Sequence, residues 1–288
     1  MIWDIVLSSV RLSVPILFAA YGGMLSERSG IANIALESNL LFSAFAGGAV
    51  TALSGNLFLG VSAGLLASAT VSAAFAAVCI WGRGDQIVIG TAFNLLAMGL
   101  IPVLNKALFN MTGATPALSS QLTFHQSWVF FALAVVTGVK LRWLFSRTRH
   151  GLQITAAGEN PEALMTQGVN FRLVRLRAVI EGGLTTGIGG IYLSLCQGSG
   201  YVRDMSAGRG YIALAALIFG GWKPWSTFLA CMFFAVTDAV QIQLQGKQIG
   251  EWTVPNQFVQ ILPYVVTLLV LIFYARKISA PRAINRDS

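Results

Sequence analysis

The sequence predicts an all-α polytopic membrane protein with about nine (8–10) transmembrane or re-entrant helices and inverted-repeat character. Three observations carry this. Hydrophobic residues make up 55% of the chain and charged residues 10%, with a mean hydropathy of +0.70, whereas soluble domains carry about 25% charged residues. Several charge-poor runs approach or exceed the roughly 18 to 20 residues that cross a bilayer. The basic residues gather beside apolar runs: Arg147, Arg149, Arg172, Arg175 and Arg177 in mid-chain, and Arg276, Lys277, Arg282 and Arg286 in the tail. That distribution is the positive-inside pattern, so the net charge of +8 is read as membrane topology and not as a nucleic-acid footprint. Met1 to Ser9 has no positive n-region and no small-residue cleavage site follows, so no removable signal peptide is expected.

In chain order the spans fall at 5–25, 31–52, 57–80, 87–108, 127–145, 178–200, 209–221, 226–245 and 256–275. With the mid-chain basic stretch and the tail in the cytoplasm, alternation puts the turns near Arg28, Arg83 and Lys223 inside. The loops at 53–56, 109–126, 201–208 and 246–255 then face outward, and their charges offset: Arg203 against Asp204, Lys247 against Glu251. Two spans are irregular. "SGIANIALESNLL" puts Asn33, Glu37 and Asn39 at lipid depth, and "GRGYIALAALIFGG" is short and bounded by glycines. Both open on a glycine (Gly30, Gly210) and continue with small apolar residues. Interrupted segments in matching halves point to a transporter's binding site. Gly60 with Gly64 and Gly183 with Gly187 have the small-xxx-small spacing of close helix crossings. Cys79, Cys196 and Cys231 lie in apolar runs and read as packing residues.

Chemistry-bearing patterns are sparse. No Walker A sequence occurs, His125 and His150 stand apart, and no nucleophile–base set or metal-ligand spacing is present. A membrane-embedded enzyme therefore has little support, and no cofactor is expected on this chain. Glu37, Glu181 and Asp238 sit at membrane depth, where charge is costly and is functional or paired. Either a pathway role or a buried hydrogen bond fits Glu37; the hydrogen bond is favoured for Glu181, near a cytoplasmic end. The run "TDAVQIQLQ" after Thr237 is either a water-lined face or a helix end leaving the bilayer. Gln86, Gly90 and Asn94 share one helix face at four-residue spacing. That stripe either lines a pathway, with Phe93 as a stacking surface or a core residue, or hydrogen-bonds helices together.

The polar stretch "HGLQITAAGENPEALMTQGVN" (150–170) is either a solvated loop or a docking element. Asn160 is a good N-cap, Pro161 suits the first helical position, Glu162 suits the helix dipole, and Gly168 reads as a stop. Ala163, Leu164 and Met165 add a modest apolar face for a partner. With no nucleotide site of its own, the chain would borrow a motor through this contact.

The residues "GLQITAAGENPEALMTQGVN" resemble the coupling-helix loop of ABC-importer permeases in the ribose, branched-chain amino acid and nucleoside group. "SERSGIANIALESNLLFSAF" resembles the segment after the first helix in that group. "GDQIVIGTAFNLLAMGL", "SAGRGYIALAALIFGGWKPW" and "LPYVVTLLVL" are most similar to its nucleoside branch, whose receptor is a lipoprotein of the basic membrane protein type. The resemblance spans nearly the whole chain. It implies one transmembrane permease domain over 1–288, with a cytoplasmic coupling loop at about 146–177, in a bacterial inner membrane with the C-terminus inside. Glu159, Asn160, Pro161, Glu162, Ala163 and Leu164 would dock a cytoplasmic ATPase, which uses the ATP. A second, different permease and an external substrate-binding lipoprotein or periplasmic protein would complete the importer in the lipid bilayer. Asn33, Glu37, Asn39, Gln86, Phe93 and Asn94 would border the solute pathway. Where the family reads NIGLEG, this chain has Ala35 and Ser38, then Asn39, and Glu181 stands where small or apolar residues are common. The resemblance implies a nucleoside or a related purine or sugar-like compound; the departures leave a solute other than an ordinary nucleoside open, with simple-sugar and riboflavin-type solutes as alternatives and a membrane-embedded enzyme or signalling receptor as the competing classes.

Overall fold

The computed structural model describes residues 2–82, 84–245, 248–249 and 252–253. The expected span at 256–275, the basic tail, Arg83, and Lys247 and Glu251 of the last outer loop lie outside the described residues. Among the described residues ten α-helices run in order: α1 (Ile2–Arg28), α2 (Leu36–Ser54), α3 (Leu57–Trp81), α4 (Gln86–Phe109), α5 (Ser127–Arg147), α6 (Arg149–Glu159), α7 (Pro161–Thr166), α8 (Phe171–Tyr192), α9 (Arg209–Phe219) and α10 (Pro224–Leu244). Beyond them lies a two-residue antiparallel pair, Gln248 opposite Thr253 and Ile249 opposite Trp252. Seven helical stretches are long and apolar enough to cross a membrane among the described residues, and α9 is a shorter apolar helix.

Local chemistry sets the helix boundaries. Asn56 accepts from the N–H of Phe58 and Leu59 to start α3, and Asp85 accepts from Ile87 and Val88 to start α4; both satisfy donors that a helix start leaves unpaired. Asn170 caps Arg172, so α8 starts at Phe171, well before the expected residue 178. Its far end loosens into a π-helical turn over Leu193–Gln197. The second span also differs from expectation. Its helix starts only at Leu36, because α1 closes on Gly30 (φ +94) and the next residues are not helical. Gly30 N–H bonds Glu27 C=O at 3.0 Å and Ile31 N–H bonds Ser26 C=O at 3.3 Å, the Schellman pattern that ends helices.

The core is built around α1. Val14, Ile16, Leu17, Phe18, Ala19 and Ala20 are wholly buried, and α1 packs against α8, α10, α9 and α5. By contrast α3, α4 and α5 present leucines and valines outward, as lipid-facing helices do: Leu66, Leu95, Val103 and Val136 are well exposed. α1 and α8 run antiparallel, since Gly22 meets Gly182 and Thr186, Phe18 meets Gly189, and the Tyr192 hydroxyl donates to Arg11 C=O at 3.2 Å. Each is followed by a non-helical stretch, 29–35 after α1 and 198–208 after α8.

The small-xxx-small pairs fall at helix crossings. A side chain on Gly183 or Gly187 would run into Ser72 or Ser68 of α3, and one on Gly64 into Ile191 and Ser43. Ser68 uses the closeness to donate to Gly183 C=O at 2.6 Å. Residues 110–124 fold over the end of α8: Thr115 N–H bonds Tyr201 C=O, Leu118 N–H bonds Ser199 C=O, and Phe124 N–H bonds Leu195 C=O.

Candidate functional site

Two non-helical stretches interrupt the bundle, and the first, 29–35, is largely buried, which poses a physical problem. Backbone polar groups in hydrocarbon must find protein partners, because no water is present to take them. The first stretch, 29–35, finds them on α4. Gln86 Oε1 accepts from Ala32 N–H at 2.7 Å. Two turns on, Asn94 Oδ1 accepts from Ser38 N–H at 3.0 Å while its Nδ2 donates to Ile34 C=O at 3.0 Å and to the Tyr211 hydroxyl at 2.9 Å. Between them Gly90 leaves room: a Cβ there would lie 2.9 Å from Ile34 Cβ. The polar stripe of α4 is thus a row of donors and acceptors matched to an unwound backbone.

Glu37 joins the two irregular segments. Its carboxylate accepts from Gly208 N–H at 2.9 Å, from Gly210 N–H at 2.7 Å, and from the Ser206 hydroxyl. It therefore satisfies the free donors at the start of α9 and sits at the positive end of that helix's dipole. Glu37 is 5% exposed, so its charge is buried among donors. A Cβ on Gly210 would lie 2.5 Å from Glu37 N, so the two segments touch backbone to backbone.

The remaining expected pathway residues are also occupied by the bundle in this state. Asn33 Nδ2 donates to Ser26 Oγ at 3.0 Å, and Asn39 Oδ1 accepts from Ser72 Oγ at 3.0 Å between α2 and α3. Phe93 stacks edge-on against Phe75, centroids 5.8 Å apart. Asn33, Glu37, Gln86 and Asn94 come together around the 29–38 segment, while Asn39 and Phe93 flank it. Glu181 of α8 meets His150 of α6 at 3.1 Å, away from the 29–38 segment.

The second candidate region is the mid-chain polar stretch, which forms two helices where one was expected. Thr148 Oγ1 accepts from Gly151 N–H at 3.1 Å to start α6. Asn160 then breaks the run and caps α7 through Ala163 N–H at 3.3 Å, with Pro161 at the first position. Gly168 (φ +73) ends α7: its N–H bonds Met165 C=O and Val169 N–H bonds Leu164 C=O, again the Schellman pattern. Leu164 is 4% exposed and belongs to the main core. It anchors the helix instead of offering itself to a partner, which differs from the expectation. The presented face is Glu162, Ala163, Met165 and Thr166, with Glu159 and Asn160 also exposed.

Sequence reasoning missed two residues here. Glu27, 3% exposed, accepts from Trp222 Nε1 at 2.6 Å and ties α1 to the end of α9. Arg175 had been grouped with the topology-setting charges, yet it is 5% exposed. Its Nε donates to Ser29 C=O at 3.1 Å and its Nη2 to Ala157 C=O at 3.1 Å. The signal for Arg175 was its place inside the first turns of a helix that then continues apolar.

A polytopic bundle with two discontinuous segments meeting inside it, and a capped helix pair at one membrane face, has the form of a transport permease. The family model described as branched-chain amino acid transport system, permease component, matches residues 5–273, and this chain belongs to that family. It is 31% identical over 301 residues to the nucleoside ABC transporter permease protein NupC of Lactococcus lactis, covering 97% of this chain and 94% of that protein. It is 30% identical to the guanosine ABC transporter permease protein NupQ of Bacillus subtilis, with the same coverage. It is 31% identical to a putative glucose ABC transporter permease of Haloferax volcanii, over 84% of this chain and 78% of that one. No solved structure matches. Membership makes the chain a multi-pass permease subunit of an ABC transporter, a transport component whose system includes ATPase and substrate-binding partners.

Proposed function

We propose that this permease carries nucleosides into the cell, as half of a heterodimer with a second permease, and that its ATPase docks on α7. The whole of 1–288 then acts as one transmembrane domain, with residues 146–177 as its coupling module and the C-terminus in the cytoplasm. The observation that carries the docking half is the form of α7. Leu164 and Val169 fix it to the core while Glu162, Ala163, Met165 and Thr166 stay exposed. A partner would therefore meet a rigid, pre-ordered helix and lose little entropy on binding. Likeness to NupC and NupQ along nearly the full chain supports the choice of solute. The solute would pass beside the joined 29–38 and 206–211 segments, where Asn33, Glu37, Asn39, Gln86, Phe93 and Asn94 gather. ATP is used by the partner, and this chain holds no cofactor in the scheme.

Uptake of radiolabelled guanosine by cells expressing the whole system tests the solute. Competition by other nucleosides, with none from glucose or leucine, is expected. Competition by glucose alone would instead establish the sugar reading, which the Haloferax volcanii relative favours. Docking is tested by Met165→Asp: co-purification of the ATPase should fall at least tenfold. Unchanged co-purification would remove α7 as the contact.

A further inference from the structure

If α7 receives the ATPase's movement, something must carry it to the discontinuous segment inside the bilayer. Such coupling is carried by packed side chains, hydrogen-bond networks and rigid elements that connect the two places. Arg175 has the geometry of such a clamp. It lies in the first turns of α8, and its guanidinium donates at 3.1 Å to Ser29 C=O and at 3.1 Å to Ala157 C=O. Ser29 belongs to the turn that closes α1, one residue before Gly30, and Ala157 belongs to the last turn of α6. The guanidinium carbon also lies 5.1 Å from the centre of the Phe171 ring, which limits its swing.

The neighbouring contacts leave no slack. Gly158 sits so close to the same turn that a Cβ would collide with Arg28 C=O and lie 3.1 Å from Gly30 N. The Arg28 guanidinium in turn stacks over Phe145 of α5 at 4.2 Å. From the turn inward, Ser26 Oγ holds Asn33, Gln86 holds Ala32, and Asn94 holds Ile34 and Ser38. A continuous set of short polar contacts thus runs from the end of α6 to the start of α2.

We propose that Arg175 is the positioning residue that couples α6 and α7 to the non-helical segment 29–35. Its planar fork, bonded to two carbonyls from separate segments, makes them move together. This rests on the reading of α7 as the ATPase contact. Lysine is a poor substitute, because a single ammonium lacks the fixed fork that matches two carbonyls in one plane.

The test uses the full transporter in lipid nanodiscs, with Ile34→Cys as reporter and its alkylation rate read by peptide mass spectrometry. Trapping the ATPase with vanadate and ADP is expected to change that rate at least fivefold in the otherwise native complex. With Arg175→Gln added, the rate should stay within twofold of the nucleotide-free value, while the ATPase still co-purifies and hydrolyses ATP. A merely structural role would instead lower assembly and leave the response of assembled complexes intact, and that result would overturn the proposal. So would the absence of a nucleotide response in the native complex. If Arg175→Gln does not assemble, Arg175→Lys carries the comparison: less than half of the native response is expected, and a full response refutes the clamp. Failure of the docking reading shows separately, as ATPase binding that survives Met165→Asp.

Discussion

Asn94 spends both ends of its amide on backbone at the entry to α2, Ile34 C=O before the helix and Ser38 N–H in its first turn, and the consequence is measurable. Asn94→Ala strands Ser38 N–H and Ile34 C=O away from water, at about 1–3 kcal/mol for each buried group. We expect a loss of about 2–4 kcal/mol, seen as a lower thermal unfolding midpoint in detergent, whereas Leu95→Ala on the exposed face of the same helix should change little. Glu37→Gln keeps the shape but removes the charge and one acceptor facing the α9 donors, so a loss of about 1–2 kcal/mol is expected by the same measurement. The sequence marks these positions as polar residues that lipid would not tolerate without purpose. It did not reveal their partners, because the partners are main-chain groups and carry no signature in the side-chain pattern. Leu164 shows the converse. Its neighbours made it look like part of an exposed apolar face, yet only the packing of α6 beneath α8 decides which side of a six-residue helix is covered.

At the level of the element, caps were the most legible feature. Asn160, Pro161 and Gly168 act in the structure as their chemistry dictates, and Asn56, Asp85 and Asn170 start helices in the same way. The start of α2 was not legible, since "GIANIAL" is as apolar as a helix; Gly30 closes α1 just before it, and Gln86 and Asn94 of α4 take the freed backbone. The division of labour within α7 gives a paired prediction. Leu164→Ala should cost about 2–4 kcal/mol of stability through a buried cavity. Met165→Asp, on the exposed side, should leave stability within about 0.5 kcal/mol while lowering ATPase capture. If the two variants exchanged phenotypes, the assignment of inner and outer faces would be wrong.

Across the whole molecule, the hydropathy runs gave the order of the spans and the basic residues gave a sidedness. A cytoplasmic α6 and α7 would make alkaline phosphatase fused after Gly168 inactive and a fusion after Gly55 active; the reverse result would invert the topology. How the spans pack was not readable in advance, because glycine pairs mark crossings without saying which helices meet. The partners of the 29–38 segment carry one more implication, for the order in which the chain is made. The group that accepts from Ala32 lies 54 residues later, the one that accepts from Ser38 lies 56 later, and the donors to Glu37 at Gly208 and Gly210 lie 171 and 173 later. A buried polar group without a partner costs several kcal/mol, so the folded form of the 29–38 segment cannot be complete until α4 has been synthesised. Its native arrangement therefore closes in two stages as the chain lengthens, first against α4 and much later against the start of α9.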